Sequence, residues 1–367
     1  MACMEKSINF FPEWRSSDYY FFMDDVRRYP AAWCYVVWSR RGPGKTYSFL
    51  RSMYENGIKF AYMKRTIKDV AMICGDKYGL DLSPYVPINR DTDTHIKPML
   101  IADGIGGFYD QTDEEGKPTG APFSYVMALN AIKEIKGIEL SDVDYICLDE
   151  FIPQPGEVVK RGEGELLLSI YMTVLRDRIK RGLPPVKLVL FSNADEISTP
   201  ITNELEIVDL MADLTASGKS HYYDEDREIL LHHITNDEIP LKAEEMSGIF
   251  KAMAGTAWGR KAFYGDFAGN DFSGVGKMSI KGFRPMCAVM HRKKIIYLYR
   301  NGGAVYASWT RHNGQRFYDL SKESDQKRFY LEDLHDVREA HIEGKFRAES
   351  YSIYDLMINF KKIYKIT

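Results

Sequence analysis

Gly42-Pro43-Gly44-Lys45-Thr46 lies between the apolar run Trp33–Trp38 and the segment Tyr47-Ser-Phe-Leu-Arg-Ser-Met-Tyr54. These residue types in this order suit one chemistry, the holding of a polyphosphate. Glycines let successive backbone N–H groups turn towards one anion, and a following helix adds partial positive charge at its N-terminus. Lys45 is expected to reach the β- and γ-phosphates, and the Thr46 hydroxyl to ligate Mg²⁺. The cradle is Ser39-Arg40-Arg41-Gly42-Pro43-Gly44-Lys45-Thr46, and it departs from G-x-x-x-x-G-K-[ST] at its first position, where Ser39 replaces glycine.

Such a loop needs an acid at the end of a neighbouring strand to hold Mg²⁺ through water. Tyr145-Ile-Cys-Leu-Asp149 supplies it, and Glu150 follows as a base that can polarise an attacking water near the γ-phosphate. The chain has no Asn-Lys-x-Asp guanine signature, so ATP is the expected nucleotide. Asn193, after the run Leu188–Phe191, is either a turn residue or a side chain that senses the γ-phosphate. Arg176-Asp-Arg178-Ile-Lys-Arg181 closes a helical stretch. Its basic residues either complement the helix dipole or include an arginine finger for a neighbouring subunit's ATP. Arg40, Arg41, Lys64 and Arg65 are further cations near phosphate or across an interface.

The elements that must position these groups are legible in outline. Phe49, Leu50 and Met53 recur at helical spacing, Gly57 stops that helix, and Lys59-Phe-Ala-Tyr-Met63 follows as a strand. Strand, glycine loop, helix, strand is a βαβ unit and implies a parallel sheet. Ile101–Tyr109, Gly116–Gly120 and Pro122–Met127 read as hairpin turns and a returning strand, Glu165–Arg176 as a helix, and Val186–Phe191 as a strand. Residues 205–270 are acidic and read as helical. Beyond Met286, short strands alternate with Arg292-Lys-Lys294, Asn301-Gly-Gly303 and His312-Asn-Gly314, each short enough for a hairpin. A last helix carries Ile353, Leu356, Met357, Phe360 and Ile363 or Tyr364 on one face.

Composition bounds the function classes. The chain has 367 residues, 45% hydrophobic and 28% charged, which excludes disordered and collagen-like architectures and suits two domains. No apolar run reaches the ~18 residues of a membrane helix. The N-terminus lacks the apolar core of a secretory signal, and five scattered cysteines fit a reducing cytoplasm. The net charge of −3 conceals an asymmetry: residues 271–367 hold 18 Lys and Arg against 11 Asp and Glu, +7, leaving −10 on the rest. Lys277–Tyr318 holds nine basic residues and no acid. That stretch is either a solvated face or a surface for a polyanion.

Taken in order, Ser39–Thr46, Tyr62-Met-Lys-Arg65, Leu148-Asp-Glu-Phe151, Leu175-Arg-Asp-Arg178, Phe191-Ser-Asn-Ala194 and Gly248-Ile-Phe…Gly255-Thr-Ala-Trp-Gly259 resemble the genome-packaging ATPases of small short-tailed phages, the phi twenty-nine-like group. The resemblance covers most of the chain. It implies an α/β P-loop NTPase of the ASCE type with a parallel central sheet at 1–204, a helical linker or lid at 205–270, and a small α+β domain at 271–367 resembling an RNase H-like nuclease without its active site. It further implies a homopentameric ring on the prohead portal in the host cytoplasm, contacting double-stranded DNA and a structural packaging RNA, with no membrane partner. In this sequence it gives Lys45 and Thr46 to nucleotide and Mg²⁺, Asp149 to the Mg²⁺ shell, Glu150 to catalysis, Arg176 to the trans finger, and Lys64 or Lys68 to a second trans contact. The insertion Arg181-Gly-Leu-Pro-Pro185 lengthens the link from Arg176 to the next strand.

The residues of the tail agree with a domain that binds rather than cuts. A two-metal nuclease needs carboxylates on its opening strand, and Lys277–Tyr318 has none. The expected function is ATP-driven translocation of double-stranded DNA into a phage prohead, with Lys133 and Lys136 either on a solvated helix face or at the pore. The competing expectations are a terminase-like motor with an active nuclease and a non-motor P-loop scaffold for RNA or capsid.

Overall fold

Cys34–Ser39 (β1) forms the strand expected before the glycine loop, and all six of its positions are buried. The structure, a computed structural model, describes residues 8–75, 81–131, 140–154, 156–160, 162–314 and 316–366. Lys133 and Lys136 lie outside the described residues. Two compact units divide the chain: residues 1–205 with 213–269, and residues 206–212 with 270–367.

In the first unit the loop leads from β1 into α2 (Lys45–Glu55), preceded by α1 (Phe22–Arg28). The strands that follow are β2 (Phe60–Lys64), β3 (Lys97–Ala102), β4 (Ile105–Tyr109), β5 (Ser124–Ala128), β6 (Tyr145–Asp149), β7 (Lys187–Asn193), β8 (His221–Asp224) and β9 (Ile229–Ile234). Among the described residues they make one sheet in the order β3-β4-β5-β2-β6-β7-β1-β9-β8. From β5 to β9 every neighbouring pair runs parallel. Antiparallel strands close both edges. A parallel sheet covered on both faces needs strands apolar on both sides, which is why Cys34–Trp38 and Leu188–Phe191 are unbroken apolar runs.

One face of the sheet rests on an aromatic cluster. Phe22 of α1, Phe49 of α2 and Phe191 of β7 meet edge-to-face, with ring centres 5.2, 5.9 and 6.0 Å apart. Such pairs contribute about 0.5–1.5 kcal/mol each beyond burial. They fix α1 and α2 over the strand ends that carry the polar residues.

Residues 205–270 are not the separate helical segment expected. Ile229-Leu-Leu-His-His-Ile234 is β9, fully buried and parallel to β1, and its hairpin partner β8 closes the sheet. Acidic flanks and two histidines hide this strand in the sequence, and burial on both faces removes any period-two alternation. Only 206–212 of this stretch, and Asn270, belong to the second unit.

The second unit contains a sheet in the order β13-β10-β11-β12-β14, with β10 (Arg284–His291), β11 (Lys294–Asn301), β12 (Ala304–Ser308), β13 (Phe317–Asp319) and β14 (Phe346–Ala348). The first three strands form an antiparallel meander, and β13 and β14 add parallel to β10 and β12. The closing helix breaks at Asn359 into Tyr351–Ile358 and Phe360–Tyr364, and Ile353, Leu356, Met357, Phe360 and Tyr364 are buried as their spacing predicted.

Candidate active site

The C-terminal ends of four adjacent parallel strands present Ser39 (β1), Asn193 (β7), Asp149 (β6) and Lys64 (β2) along one edge of the sheet. Ser39 pairs in register with Asn193, and Asp149 with Phe191. Open parallel sheets bind ligands at this edge. A cavity of about 300 Å³ opens there, lined by Arg41, Gly42, Lys45, Thr46, Asp149, Glu150 and Asn193 among others.

The loop has the backbone its glycines predict. Gly42 and Gly44 sit at φ 98° and 91°, where an L side chain is strained. Gly44 is the N-cap of α2, which therefore begins at Lys45. The Lys45 ammonium folds back to the Ser39 hydroxyl and to the Arg40 carbonyl at 3.4 Å. Ser39, standing in place of the first loop glycine, thus becomes the resting partner of Lys45. Burial, aided by Arg40, pulls the Lys45 amine down to about 8 against the opposing pull of Asp149 and Glu150.

Asp149 is the hub. Its Oδ2 accepts from Thr46 Oγ1 at 3.2 Å, from the Tyr62 hydroxyl at 2.6 Å and from Lys64 Nζ at 3.1 Å. Burial pushes its carboxyl up, but Lys64, Tyr62 and Lys45 together outweigh burial and hold it below the usual carboxylate range. Lys64 also reaches Glu150 Oε2 at 3.0 Å. Burial would lower the Lys64 ammonium, yet Asp149 and Glu150 raise it, so the cation persists. Glu150 is held at φ 57°, an unusual conformation for a non-glycine residue that costs on the order of 1–3 kcal/mol. Gln154 donates to Glu150 at 3.4 Å and accepts from Arg41 at 3.1 Å.

The remaining cations separate by role. Arg40 lines no part of the cavity; its guanidinium donates to Asn236, Glu245 and the Ile239 and Pro240 carbonyls and ties the loop to that segment. Arg65 is buried against Glu163, at the start of α3 (Glu163–Lys180), and against Glu157. The expectation that Arg40 and Arg65 face phosphate therefore gives way, because each is enclosed by acceptors of its own unit. Lys64 lies on the carboxylates of its own chain, and Lys68 is exposed. On α3, Arg178 is buried and donates to the Pro184, Ser141 and Val143 carbonyls and to Asp144. Arg176, two residues earlier, is 64% exposed and lies outside the cavity lining of its own chain.

Tyr62 and Gln154 were not singled out by the sequence. Tyr62 and Lys64 are two apart on β2, and the register sets Tyr62 against Cys147, two before Asp149. Period-two alternation beside the acid strand would have found both. Gln154 follows the irregular turn after Glu150 and carries no such signal.

The set fits Mg²⁺ and a nucleoside triphosphate: hard oxygen donors from Thr46 and Asp149, a buried cation at Lys45, and turned backbone at Gly42 and Gly44. No protein-family model and no curated protein matches the chain. Solved structures do. A chain of the bacteriophage Phi-29 viral genome packaging motor assembly superposes with a TM-score of 0.61 at 14% identity, over 95% of this chain and 99% of that one. A chain of the Phi-28 gp11 DNA packaging motor gives 0.58 at 14% identity, over 96% and 99%. The resemblance read from the order of the motifs is borne out in the fold: this chain has the fold of the phi twenty-nine-like packaging motor proteins.

Proposed function

We propose that this protein is the ATP-hydrolysing subunit of a motor that drives double-stranded DNA into a phage prohead. The observation that carries the reading is the convergence of Lys45, Thr46, Asp149, Glu150 and Asn193 on one cavity, in a chain with the fold of packaging motor proteins. In this reading the loop 39–46 binds ATP, with Thr46 and, through water, Asp149 holding Mg²⁺. The ion, when bound, neutralises charge on the β- and γ-phosphate oxygens. Lys45 leaves Ser39 for the phosphates. Glu150, freed from Lys64, accepts hydrogen bonding from the attacking water and orients it, and Asn193 reports the γ-phosphate from the strand between. Arg176 of a neighbouring subunit stabilises the transition-state charge, so hydrolysis belongs to a homo-oligomeric ring, of five subunits by the family resemblance. Its place is the portal vertex in the host cytoplasm, with packaging RNA as a further partner. Among the described residues no helix is long and apolar enough to cross a membrane.

The second unit is proposed as a degenerate RNase H-like domain that grips nucleic acid without cutting it. Its nine basic residues from Lys277 to Arg316 are all exposed. Lys294, Arg316, Arg300 and Lys277 face carboxylates of the same unit, which leaves a modest rather than a dense basic surface. Asp319 ends β13 opposite Met290 of β10, where a two-metal nuclease would need a second carboxylate.

Glu150→Gln tests the catalytic reading. Hydrolysis should fall by roughly 10²–10⁴-fold while ATP binding changes little. Unchanged steady-state hydrolysis would remove Glu150 from the mechanism. Wild-type hydrolysis indifferent to double-stranded DNA and to assembly would favour a static scaffold instead, and metal-dependent DNA cleavage would favour a terminase-like motor.

A further inference from the structure

A second polar cluster lies in the first unit, beside the nucleotide loop rather than within it. His221 of β8 and His232 of β9 are directly opposite in the antiparallel register, so both imidazoles leave the same face of the hairpin. Their rings stack with centres 3.8 Å apart. Asp25, from α1, is laid over that face. His232 Nδ1 is 2.8 Å from Asp25 Oδ2, and His221 Nε2 is 3.4 Å from Asp25 Oδ1. The three donor atoms lie within 4.8 Å of one another.

The outer nitrogens are engaged separately. His232 Nε2 is 2.9 Å from Glu238, and His221 Nδ1 is 2.8 Å from Ser220 Oγ. Each ring is thereby turned so that its other nitrogen points to the same carboxylate. That is how proteins orient metal-ligating histidines: the ring nitrogen away from the ion is fixed by a carboxylate, carbonyl or other polar partner. Ligands at about 2.0–2.2 Å in a tetrahedral shell stand roughly 3.3 Å apart, close to the 3.4 Å between His221 Nε2 and Asp25 Oδ1, while His232 Nδ1, hydrogen-bonded to Asp25 Oδ2 at 2.8 Å, draws back by about half an ångström to admit the ion. Asp25 and Glu238 together supply two negative charges, which a divalent cation balances once it displaces, to solvent, the proton between His232 Nδ1 and Asp25. Asp25 and His232 are 3% and 1% exposed. A cavity of about 870 Å³, lined by Tyr20, Asp25, His221, His232 and Glu238 among others, gives an ion access.

We infer that Asp25, His221 and His232 form a site for one zinc-class divalent cation, with the cavity side open to a water as fourth ligand. Two imidazoles and one carboxylate favour such an ion over Mg²⁺, which seeks an octahedral oxygen shell. The cation staples α1 to the edge hairpin. It acts next to the nucleotide loop, because Tyr20, whose hydroxyl donates to Asp25 at 2.8 Å, also donates its backbone N–H to the Pro43 carbonyl at 2.9 Å.

The test uses the full chain, treated with chelator and then titrated with Zn²⁺ in millimolar Mg²⁺. Expected are one bound zinc per chain, a rise in Tm on saturation, and visible ligand-field bands of tetrahedral coordination when Co²⁺ replaces it. His221→Ala removes the least buried ligand. It should weaken zinc binding at least about tenfold and abolish the Tm rise with the circular dichroism unchanged. Should that variant not fold, Ser220→Ala, which releases the His221 ring, should weaken zinc by about tenfold in a folded chain. Thr46→Ala should bind zinc as the wild type does, which separates this site from the nucleotide-linked metal. No zinc uptake by the wild type, or uptake unchanged in the folded His221 and Ser220 variants, would overturn the site and leave a plain hydrogen-bonded cluster.

Discussion

Lys64 Nζ stands 3.0 Å from Glu150 and 3.1 Å from Asp149, so one ammonium bridges the two carboxylates to which the proposed mechanism gives different tasks. Lys64 and Asp149 are both largely buried, with side chains 15% and 11% exposed, whereas Glu150 is 46% exposed. The Asp149 contact is therefore the stabilising one, and the Glu150 contact is the one easily exchanged. Lys64 serves as counter-charge to Asp149 while no metal is bound.

Lys64→Met should accordingly destabilise the nucleotide-free protein by on the order of 3 kcal/mol, since breaking a buried pair strands the remaining charge. In the proposed mechanism Mg²⁺, bound together with ATP, brings positive charge to the same carboxylate. The Tm difference between variant and wild type should narrow when both are saturated with them. A gap that stays constant in thermal-shift measurements with and without Mg²⁺-ATP would show that Lys64 acts on something other than Asp149.

The parts of the site that sequence revealed are those fixed by local geometry. Gly42, Gly44, Lys45 and Thr46 are adjacent in the chain, and Asp149, Glu150 and Asn193 sit at the ends of apolar runs whose direction a parallel sheet dictates. What escaped depends on lateral register. Tyr62 meets Asp149 only because β2 lies beside β6, and His232 meets Asp25 only because β9 completes the sheet beside β1. By residue type alone Arg176 and Arg178 are equivalent helix-end cations. Packing separates them, because Arg178 lies under the turn Pro184 closes and Arg176 does not.

That division makes a paired prediction. Arg176→Ala should leave stability within about 0.5 kcal/mol of wild type but lower hydrolysis by assembled rings roughly 10³-fold. Arg178→Ala should cost about 3 kcal/mol, because the half-exposed Asp144 and three carbonyls lose a buried donor. Rings mixed from Arg176→Ala and Lys45→Ala subunits should regain hydrolysis, since each parent supplies what the other lacks. Mixed rings as inactive as either parent would confine Arg176 to its own chain.

Nucleotide affinity should depend on pH through Lys45. Burial and Arg40 disfavour its charge and pull the amine down to about 8. The protonated form binds phosphate, so the charge is present below about pH 8 and lost above it. ATP affinity should be level near pH 7 and fall by up to about tenfold per pH unit above the midpoint. Lys45→Arg keeps its charge throughout, so its profile over the same range should be flat whatever its absolute affinity. A wild-type profile that is flat to pH 9.5 would mean that the amine does not titrate where its burial predicts.

The turn between β10 and β11 offers a test of the second unit. Arg292 and Lys293 occupy φ 48° and 64°, the positive values that a two-residue type I′ hairpin requires at both central positions. Glycine or asparagine usually fills such turns, and long basic side chains there cost on the order of 1 kcal/mol each. Lys293→Gly removes that strain and one exposed charge together. If the turn were only a connection, the variant would be more stable by about 1 kcal/mol and otherwise unchanged. If the tip faces phosphate, as the proposed role of this unit requires, the same variant should be more stable yet bind double-stranded DNA or structured RNA less tightly. The slope of log affinity against log salt should then shrink by about 1. Equal salt slopes for variant and wild type would move the nucleic-acid contact away from this hairpin.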